Sequence, residues 1–401
     1  MPDRILTSHA GSLPRPEDLI TLNEQRASGE FTDEEEYARR LSAAVADVVA
    51  RQKDTGIDIA NDGEFGHSMG QRYDYGTWWT YVFGRFGGIE LTDISVAEME
   101  QPKAPPGEIT LASFAERRDW TEFLDAYLDP SSGAALPNAA TLFPVCRGPI
   151  TYTGQAEIQR DIADMKAAMA AAGVTEGYLN AVAPGSAGRF GNEYYANDEE
   201  MMQACADALR EEYKAIIDAG LILQLDDPCI AENWDQITPE PSVADYQRFT
   251  MKRVEALNYA IRDLPPERIR FHLCWGSWHG PHTTDIPMAD IVDVMLKINA
   301  GTYLFEAANV RHEHEWKVWQ DVKLPEGKTI IPGMVSHSTN VVEHPELVAD
   351  RIVNYAQVVG RDNVAAGTDC GLGGRVHPQI AWAKLDSLAQ GAEIATRRLY
   401  G

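Results

Sequence analysis

Short apolar segments alternate with longer amphipathic segments along almost the whole chain. The apolar segments have the length of β-strands, and the amphipathic ones repeat with the 3.6-residue period of helices. This alternation is typical of repeated β-α units around a parallel sheet. Strands are predicted at residues 5–8, 57–60, 178–182, 222–225, 269–273, 303–305, 330–335 and 364–366. Helices are predicted between them, at residues 34–52, 199–218, 243–262, 289–298, 345–359 and 381–398.

Eight predicted strands with intervening helices favour a closed barrel over an open doubly wound sheet. An open dinucleotide-binding sheet would carry a Gly-rich turn after its first strand, but the sequence there reads Gly11-Ser-Leu-Pro14. A length of 401 residues is normal for one barrel with insertions. We therefore predict an α/β fold, a single (β/α)8 TIM-type barrel, with residues 1–401 as one catalytic domain.

A long segment after the second predicted strand, residues 66–176, interrupts this alternation. It begins with an aromatic-rich stretch at residues 73–86 and continues to an extra predicted strand at 145–151 and a helix at 158–172. Long loops on barrels are often functional. We predict an insertion on the barrel, which either packs over the rim or forms a lid over a substrate pocket.

The charge of the chain limits its partners. Sixty-one acidic residues against 35 basic ones give a formal net charge of -26, which repels phosphate backbones and anionic lipids. No apolar stretch approaches the length of a membrane span, and no apolar signal core follows the N-terminus. We therefore expect neither a nucleic-acid nor a membrane partner, while a homo-oligomer remains open.

The cysteines indicate a cellular compartment. Five of them are scattered along the chain, too few and too far apart for a disulfide framework. Reduced thiols are typical of the cytoplasm, where they can serve as metal ligands. We predict a cytoplasmic protein.

Polar residues end several of the predicted strands. In a (β/α)8 barrel the C-terminal ends of the strands meet around one mouth, where catalytic groups lie. Residues far apart in sequence are therefore expected to converge there. The polar strand ends are Asp62-Gly-Glu64, residues 224–227, His272-Leu-Cys274, Glu306 and Asp369-Cys370.

His272 and Cys274 could form half of a metal site. They are two residues apart on a predicted strand, so both side chains point to the same side. Cys370 could add a second thiolate and Glu306 a carboxylate oxygen, which together suit tetrahedral zinc better than magnesium or calcium. Single Cys and His residues on strands are commonly packed core, so the spacing alone leaves both interpretations open.

Seven motifs, in family order and spanning almost the whole chain, carry a specific resemblance. The chain resembles the cobalamin-independent methionine synthase family, in the form of its C-terminal catalytic barrel. The resemblance implies a barrel related to those of methionine synthases and uroporphyrinogen decarboxylases. The motifs lie at residues 8–14 (SHAGSLP), 62–65 (DGEF), 223–228 (LQLDDP), 272–274 (HLC), 305–306 (FE), 335–338 (VSHS) and 369–372 (DCGL).

The same resemblance implies roles for individual residues. It implies a zinc cofactor with the ligands His272, Cys274, Glu306 and Cys370. It places at the pocket of the substrate thiol the residues Gly11, Ser12, Glu64 and Asp226. In that pocket Glu64 and Asp226 would meet a substrate ammonium group. His337 matches the proposed proton donor to the departing group.

The function implied is zinc-dependent methyl transfer to a thiol, similar to 5-methyltetrahydropteroyltriglutamate-homocysteine S-methyltransferase, which forms methionine. A thiol is a poor nucleophile at neutral pH because little of it is thiolate, and zinc coordination deprotonates it. The expected partners are a small-molecule thiol and an alkyl donor.

Three alternatives remain open. Only one barrel is predicted, and after the third predicted strand no Trp precedes Trp234. Residues 73–86 resemble a branch of the family that contains epoxyalkane:coenzyme M transferases, and this branch is the first alternative. That alternative needs a cationic group for the sulfonate of coenzyme M, for which Arg72 and Arg85 are candidates. The others are a metal-free barrel similar to uroporphyrinogen decarboxylase and a non-catalytic, zinc-stabilised binding protein.

Overall fold

The structure is a computed structural model that describes residues 3–67, 81–92, 109, 111, 116–134 and 143–401. Most of the predicted aromatic-rich stretch, including Trp78 and Trp79, lies outside the described residues, as does Arg72. Statements about the insertion therefore concern its described parts.

Ten strands are described. In chain order they are β1 Ile59–Asn61, β2 Phe86–Thr92, β3 Phe143–Tyr152, β4 Glu176–Val182, β5 Gly191–Asn192, β6 Ile222–Asp226, β7 Ile269–Leu273, β8 Thr302–Phe305, β9 Thr329–Val335 and β10 Gly367–Thr368.

Seven of these strands form one curled parallel sheet. Its order is β1-β4-β6-β7-β8-β9-β10, so the strands are neighbours in chain order apart from β2, β3 and β5. The strands are buried almost throughout, as expected where helices cover a parallel sheet. The register aligns the end of each strand with its neighbour, and it places Val182 beside Asp226 and Asp226 beside His272. Polar strand ends are thereby brought together along one edge.

The structure differs from the sequence prediction at the first and last predicted strands. Residues 5–8 form no named strand, but Thr7 makes a parallel bridge to Ala366. The Thr7 carbonyl also accepts hydrogen bonds from the amides of Asp58 and Ile59, both at 3.1 Å. The Thr7 amide also donates to the Asp58 carboxylate at 2.9 Å. At the opposite edge of the sheet, a register shift interrupts the pairing of β10 with β9. These side-chain bonds and the irregular register shorten both ladders.

The described helices are, in chain order, α1 Glu17–Ser28, α2 Glu34–Thr55, α3 Arg118–Glu122, α4 Leu124–Leu128, α5 Gln155–Ala172, α6 Pro184–Ala187, α7 Asp198–Asp218, α8 Cys229–Glu232, α9 Val243–Ala260, α10 Met288–Met295, α11 Pro345–Val359 and α12 Pro378–Tyr400. Short 3-10 turns occur at Tyr81–Gly84, Pro266–Arg268, Glu313–Gln320 and Arg361–Asn363. Among the described helices, none combines the length and apolar character that crossing a membrane requires.

Helix α2 illustrates how the sequence sets its own boundaries. The Asp33 side chain caps its first turn by accepting from the Glu36 amide at 3.0 Å, and Gly56 ends it in the left-handed conformation. Residues Tyr37, Leu41 and Val45 recur every fourth position and are buried. One apolar face therefore packs against the rest of the molecule while the acidic first turn stays outside.

A separate small sheet contains β2 and β3, from the predicted insertion, and β5. In it β2 pairs antiparallel with β3, and β3 pairs parallel with β5. Its contact with the main helices is polar and buried. The Arg85 guanidinium donates to Asp161 at 2.6 Å and to Glu212 at 2.9 Å, and Tyr81 also donates to Glu212. This network ties the small sheet to α5 and α7.

Candidate active site

Two thiols meet at the ends of distant strands. Cys274 follows β7 and Cys370 follows β10, and their Sγ atoms lie 3.7 Å apart as free thiols. Two thiolates bound to one tetrahedral zinc at about 2.3 Å would be about 3.8 Å apart. The hydrogen bond between the two thiols lowers the pKa of Cys370 to about 6, with further help from the nearby His272. The same hydrogen bond, together with burial, raises the pKa of Cys274 well above its usual value, so the two thiols share one negative charge. The spacing and this shared charge both fit a soft metal.

His272 is oriented by a carboxylate. Its Nδ1 lies 2.9 Å from Asp226 Oδ1, and its Nε2 lies 3.1 Å from the carbonyl oxygen of Asp369, the residue before Cys370. Burial alone would lower the pKa of His272, but the Asp226 carboxylate outweighs it and raises the pKa to about 9. A carboxylate that holds one ring nitrogen is the usual partner of a metal-binding histidine.

Glu306 follows β8 and is held at both oxygens. Its Oε1 accepts from the Trp275 amide and its Oε2 from the Asn309 side-chain amide, each at 2.8 Å. Burial raises the pKa of Glu306 to about 8, and the nearby Asp369 and Cys370 add to this effect. The two hydrogen bonds therefore fix the position of the Glu306 carboxyl group.

The closest group of potential ligands differs from the predicted set. Within the described residues, the trio whose ligand atoms all lie within 4.8 Å of one another is Glu306, His337 and Asp369. Asp369 Oδ1 already accepts from the amides of Ala307 and Ala308, both at 2.7 Å. These two hydrogen bonds suit Asp369 for joining the ends of β8 and β10 better than for binding a metal. The predicted set of His272, Cys274, Glu306 and Cys370 stays a prediction.

The four residues predicted for the thiol pocket lie around the same strand ends. A side chain at Gly11, whose φ is 146°, would bring a Cβ within 2.0 Å of Glu64 Oε1. The Ser12 carbonyl accepts from the Leu372 amide at 2.8 Å, close to Cys370. Only glycine at position 11 therefore allows Glu64 to approach this closely.

Glu64 and Asp226 form a buried acidic pair. Burial raises the pKa of Glu64 well above its usual value, and the nearby Asp226 charge adds to the effect. Glu64 Oε2 has no hydrogen-bond partner among the described residues, and Glu64 has a positive φ of 59°. Backbone conformations of this kind cluster at functional sites. The free acceptor of Glu64 beside the Asp226 carboxylate fits a cationic ligand group such as an ammonium, whose charge would favour the ionised form of Glu64.

His337 lies just after β9 and is buried. Its Nδ1 has no hydrogen-bond partner among the described residues. Burial lowers the pKa of His337 well below its usual value, and the neighbouring Arg375 and His282 act in the same direction. The imidazole is therefore uncharged near neutral pH and has one nitrogen free for a ligand.

A cavity of about 420 Å³ adjoins these groups. Glu306 and His337 contribute to its lining, so it leads to the candidate metal site. This volume is sufficient for a small organic substrate. Its other polar lining residues include His279, His282, Asp285, Asn309, Arg311 and His312.

Several of these neighbours were not predicted from the sequence. Asn309 and the Trp275 amide hold Glu306, and Asp285 lies 3.2 Å from a nitrogen of His312. Asn309 follows Glu306 by three residues after a strand end, and this spacing could have identified it from the sequence. The Trp275 amide leaves no trace in the sequence because a backbone group is the same in every residue.

The coenzyme M alternative loses one of its two candidate cations. Arg85 is buried, and its guanidinium is paired with Asp161 and Glu212. A sulfonate would have to compete with two carboxylates for it. Arg72, the other candidate, lies outside the described residues.

A family model described as the catalytic domain of cobalamin-independent synthase matches residues 144–393. This range covers more than half of the chain and contains β4, β6 to β10 and all four predicted zinc ligands. The chain belongs to the cobalamin-independent synthase family. The resemblance found in the seven motifs is thereby confirmed.

Two curated relatives match about half of the chain. A methionine synthase of Thermococcus kodakarensis is 26% identical over 211 residues, which is 52% of this chain and 54% of the relative. A methionine synthase of Saccharolobus solfataricus is 25% identical over 211 residues, with the same coverage. The match thus spans about half the length of these relatives.

A solved structure from the same family agrees with the fold. The B12-independent methionine synthase from Shewanella sp. W3-18-1, solved in complex with selenomethionine, superposes with a TM-score of 0.70. It is 19% identical, and the match covers 99% of each chain. At this identity the similarity establishes the α/β fold with its curled, mostly parallel sheet.

Proposed function

We propose that this chain is a zinc-dependent methyltransferase that methylates the thiol of homocysteine and so forms methionine. Family membership supports methyl transfer, and one observation carries the zinc chemistry: two free thiols from distant strands lie 3.7 Å apart beside His272. The relatives in this family that are described as methionine synthases support the choice of product.

The residues present fit a zinc ion. Two thiols, an imidazole held by a carboxylate and a fixed glutamate form a soft, anionic donor set. His272, Cys274, Glu306 and Cys370 would hold the ion. When bound, zinc would lower the pKa of a substrate thiol and keep its sulfur nucleophilic.

The protein would position the thiol through its charge. The buried acidic pair of Glu64 and Asp226 would bind the ammonium of homocysteine, with the unpaired Glu64 Oε2 as one acceptor. Because Asp226 also orients His272, the amino-acid pocket and the metal site share a residue. The thiol end would then be directed toward Cys274 and Cys370.

The transfer forms one bond and breaks another. The thiol sulfur donates an electron pair to the methyl carbon, and the bond between that carbon and the donor atom breaks with its pair left on the donor. The thiol gives up one proton when it becomes a thiolate, and the donor atom takes up one proton after its bond to carbon breaks, so the transfer is balanced in protons. His337 adjoins the cavity through which the donor would reach the sulfur, and its uncharged ring would hydrogen-bond to the departing atom.

A second part of the proposal concerns the fold. We propose that the curled sheet closes into a (β/α)8 barrel with residues 5–8 as the eighth strand, because Thr7 is bonded to both edges of the sheet. Residues 1–401 would form one domain, with residues 66–176 as an insertion; β2 and β3 lie in a separate sheet. A cytoplasmic location and a homo-oligomer stay predictions.

The proposal is tested on the metal and the reaction together. The purified chain should contain about one zinc and should methylate homocysteine but not coenzyme M. Cys370→Ser should lose the zinc, and its rate of methyl transfer should fall at least a hundredfold. Its circular dichroism should remain that of the wild type. The control is Cys146→Ser, which alters a buried thiol in the small sheet. Full methylation by a zinc-free chain or by Cys370→Ser would contradict the proposal, and a zinc-free, inactive chain would favour the metal-free decarboxylase alternative.

A further inference from the structure

Part of the cavity beside the candidate metal site is lined by the insertion instead of the strand-end loops. Four residues from this part line it, and we call them the insertion wall: Ala126, Ser132, Gly133 and Ala134. All four are small. They face a cavity that also exposes Glu306 and His337, so any second substrate that reaches the thiol from this side passes the insertion wall.

We propose that the insertion wall is a fixed boundary of the alkyl-donor pocket and that its small side chains set the size of the donor. The proposal rests on the proposed function, because it takes this cavity as the place of the second substrate. Of the four predicted zinc ligands, Glu306 alone lines this cavity together with the wall. A larger wall residue would therefore act on the donor and leave the thiol and the other three ligands unaffected.

A buried hydrogen-bond chain anchors the wall to the loop after β7. The Tyr127 hydroxyl donates to the Asp119 carboxylate at 2.8 Å and accepts from Trp278 Nε1 at 2.9 Å. Asp119 in turn accepts from the Thr283 amide at 2.9 Å. Trp278 and Thr283 belong to the same loop as Cys274, so the wall and a candidate ligand are parts of one connected structure.

Further contacts fix the other end of this segment. The amides of Arg118 and Asp119 both donate to Asp235, at 3.1 Å each. Arg117 is buried and pairs with Glu232. Trp120 packs edge-on against Trp278, with ring centroids 6.0 Å apart. These aromatic and ionic contacts hold the segment of residues 117–127, which contains Ala126 and leads to the other three wall residues.

The cavity is small enough for the wall to matter. A volume of about 420 Å³ lies toward the lower end of the range for organic ligands. Interiors that contact a ligand closely cannot absorb an added aromatic ring without displacing it. The remaining lining is rich in hydrogen-bonding groups, including His279, Asn309 and Arg311, which suits a donor whose departing part carries polar atoms.

The decisive variant enlarges the wall at one position. Ala126→Phe is compared with Leu128→Phe, which adds a ring two residues away on a side chain that is 65% exposed and does not line the cavity. Binding of two probes, 5-methyltetrahydrofolate and S-methylmethionine, is measured by calorimetry in zinc-loaded protein. Of the probes that the wild type binds, the larger one is used for the comparison. We expect Ala126→Phe to raise its dissociation constant at least tenfold and Leu128→Phe to raise it less than twofold.

A graded variant and a second readout keep the outcome interpretable. Ala126→Leu should give an intermediate loss, and zinc content and homocysteine binding should stay within twofold of wild type in every variant. Unchanged probe binding in Ala126→Phe, equal losses for thiol and probe, or a wild type that binds neither probe would overturn the proposal. Methionine formation is assayed separately, so a chain that binds a probe but transfers no methyl group contradicts only the proposed function.

Discussion

At the level of single residues, Asp226 lies between the proposed amino-acid pocket and the proposed metal site. Its Oδ1 lies 2.9 Å from His272 Nδ1, and its Oδ2 accepts from Asn180 at 2.8 Å. Gln224 donates to Oδ1 at 2.9 Å. Every one of these partners lies on β4, β6 or β7, so the carboxylate is held by the sheet itself. A group fixed in this way can orient a metal ligand without binding the metal.

Replacing Asp226 with Asn tests that role. Asn keeps the size of Asp but loses its charge. One carboxylate oxygen is replaced by an NH2 group, which would face the side-chain nitrogens that now donate to Asp226. Loss of such a carboxylate partner costs about 10–100-fold in metal affinity or activity. We expect Asp226→Asn to bind zinc about tenfold or more weakly in competition with a chromogenic chelator, without substrate. Asp218→Asn, on the exposed end of α7, is the control, and equal affinities in both variants would refute the role.

The candidate site was predictable from sequence to the extent that it lies on strand ends. His272 and Cys274 fall at the end of β7, whose bounds are as predicted, and the contact between Cys274 and Cys370 agrees with the predicted convergence. Of the two groups that hold Glu306, Asn309 could have been found from its spacing, but the Trp275 amide could not. A backbone amide is the same in every residue, and its position depends on tertiary packing.

At the level of elements, regular apolar periodicity predicted well and irregular pairing did not. Helix α11 has its predicted bounds, whereas α1 was not predicted because a single residue, Leu19, is its buried contact. Residues 5–8 were predicted as a strand, yet Asp58 takes up the Thr7 amide and hydroxyl through its side chain. Local competition between side chain and backbone of this kind is invisible to hydrophobic patterning.

The buried contact between the small sheet and the main helices makes stability depend on pH. Burial would raise the pKa of Asp161, but the Arg85 and Arg160 guanidiniums outweigh it and hold the pKa below its usual value. A carboxylate with a lowered folded-state pKa contributes stability that is present above the unfolded value, about pH 4, and is lost as pH falls further. Asp161→Asn should therefore destabilise the chain by about 3–5 kcal/mol at neutral pH.

The measurement is urea unfolding of wild type and Asp161→Asn at several pH values between about 7 and about 3. The difference in free energy of unfolding between wild type and variant should be constant near neutral pH. It should shrink below about pH 4 as the wild-type Asp161 carboxylate is protonated. Asp18→Asn removes an exposed partner of Arg40 and should cost at most about 1 kcal/mol. A difference that does not change with pH would argue against the assigned titration.

At the level of the whole molecule, the candidate metal site and the apolar core are separate. The site lies at the strand ends, while one core cluster runs from Ile5 to Ala395 and includes side chains from the sheet and its covering helices. Small metal-dependent domains unfold without their ion because they lack such a core. A chain with this core should instead fold without zinc and then bind it.

Zinc removal tests that separation. Chelation should leave the far-ultraviolet circular dichroism unchanged and lower the free energy of unfolding by the binding term alone, about 2.7 kcal/mol when free zinc is a hundred times its dissociation constant. Adding zinc should restore both the melting temperature and methyl transfer. Cys370→Ser, which is expected to lack the ion already, should show no change on chelation. Cooperative loss of helical signal from the wild type on chelation would mean that the metal holds the fold, and the site would then be structural before it is catalytic.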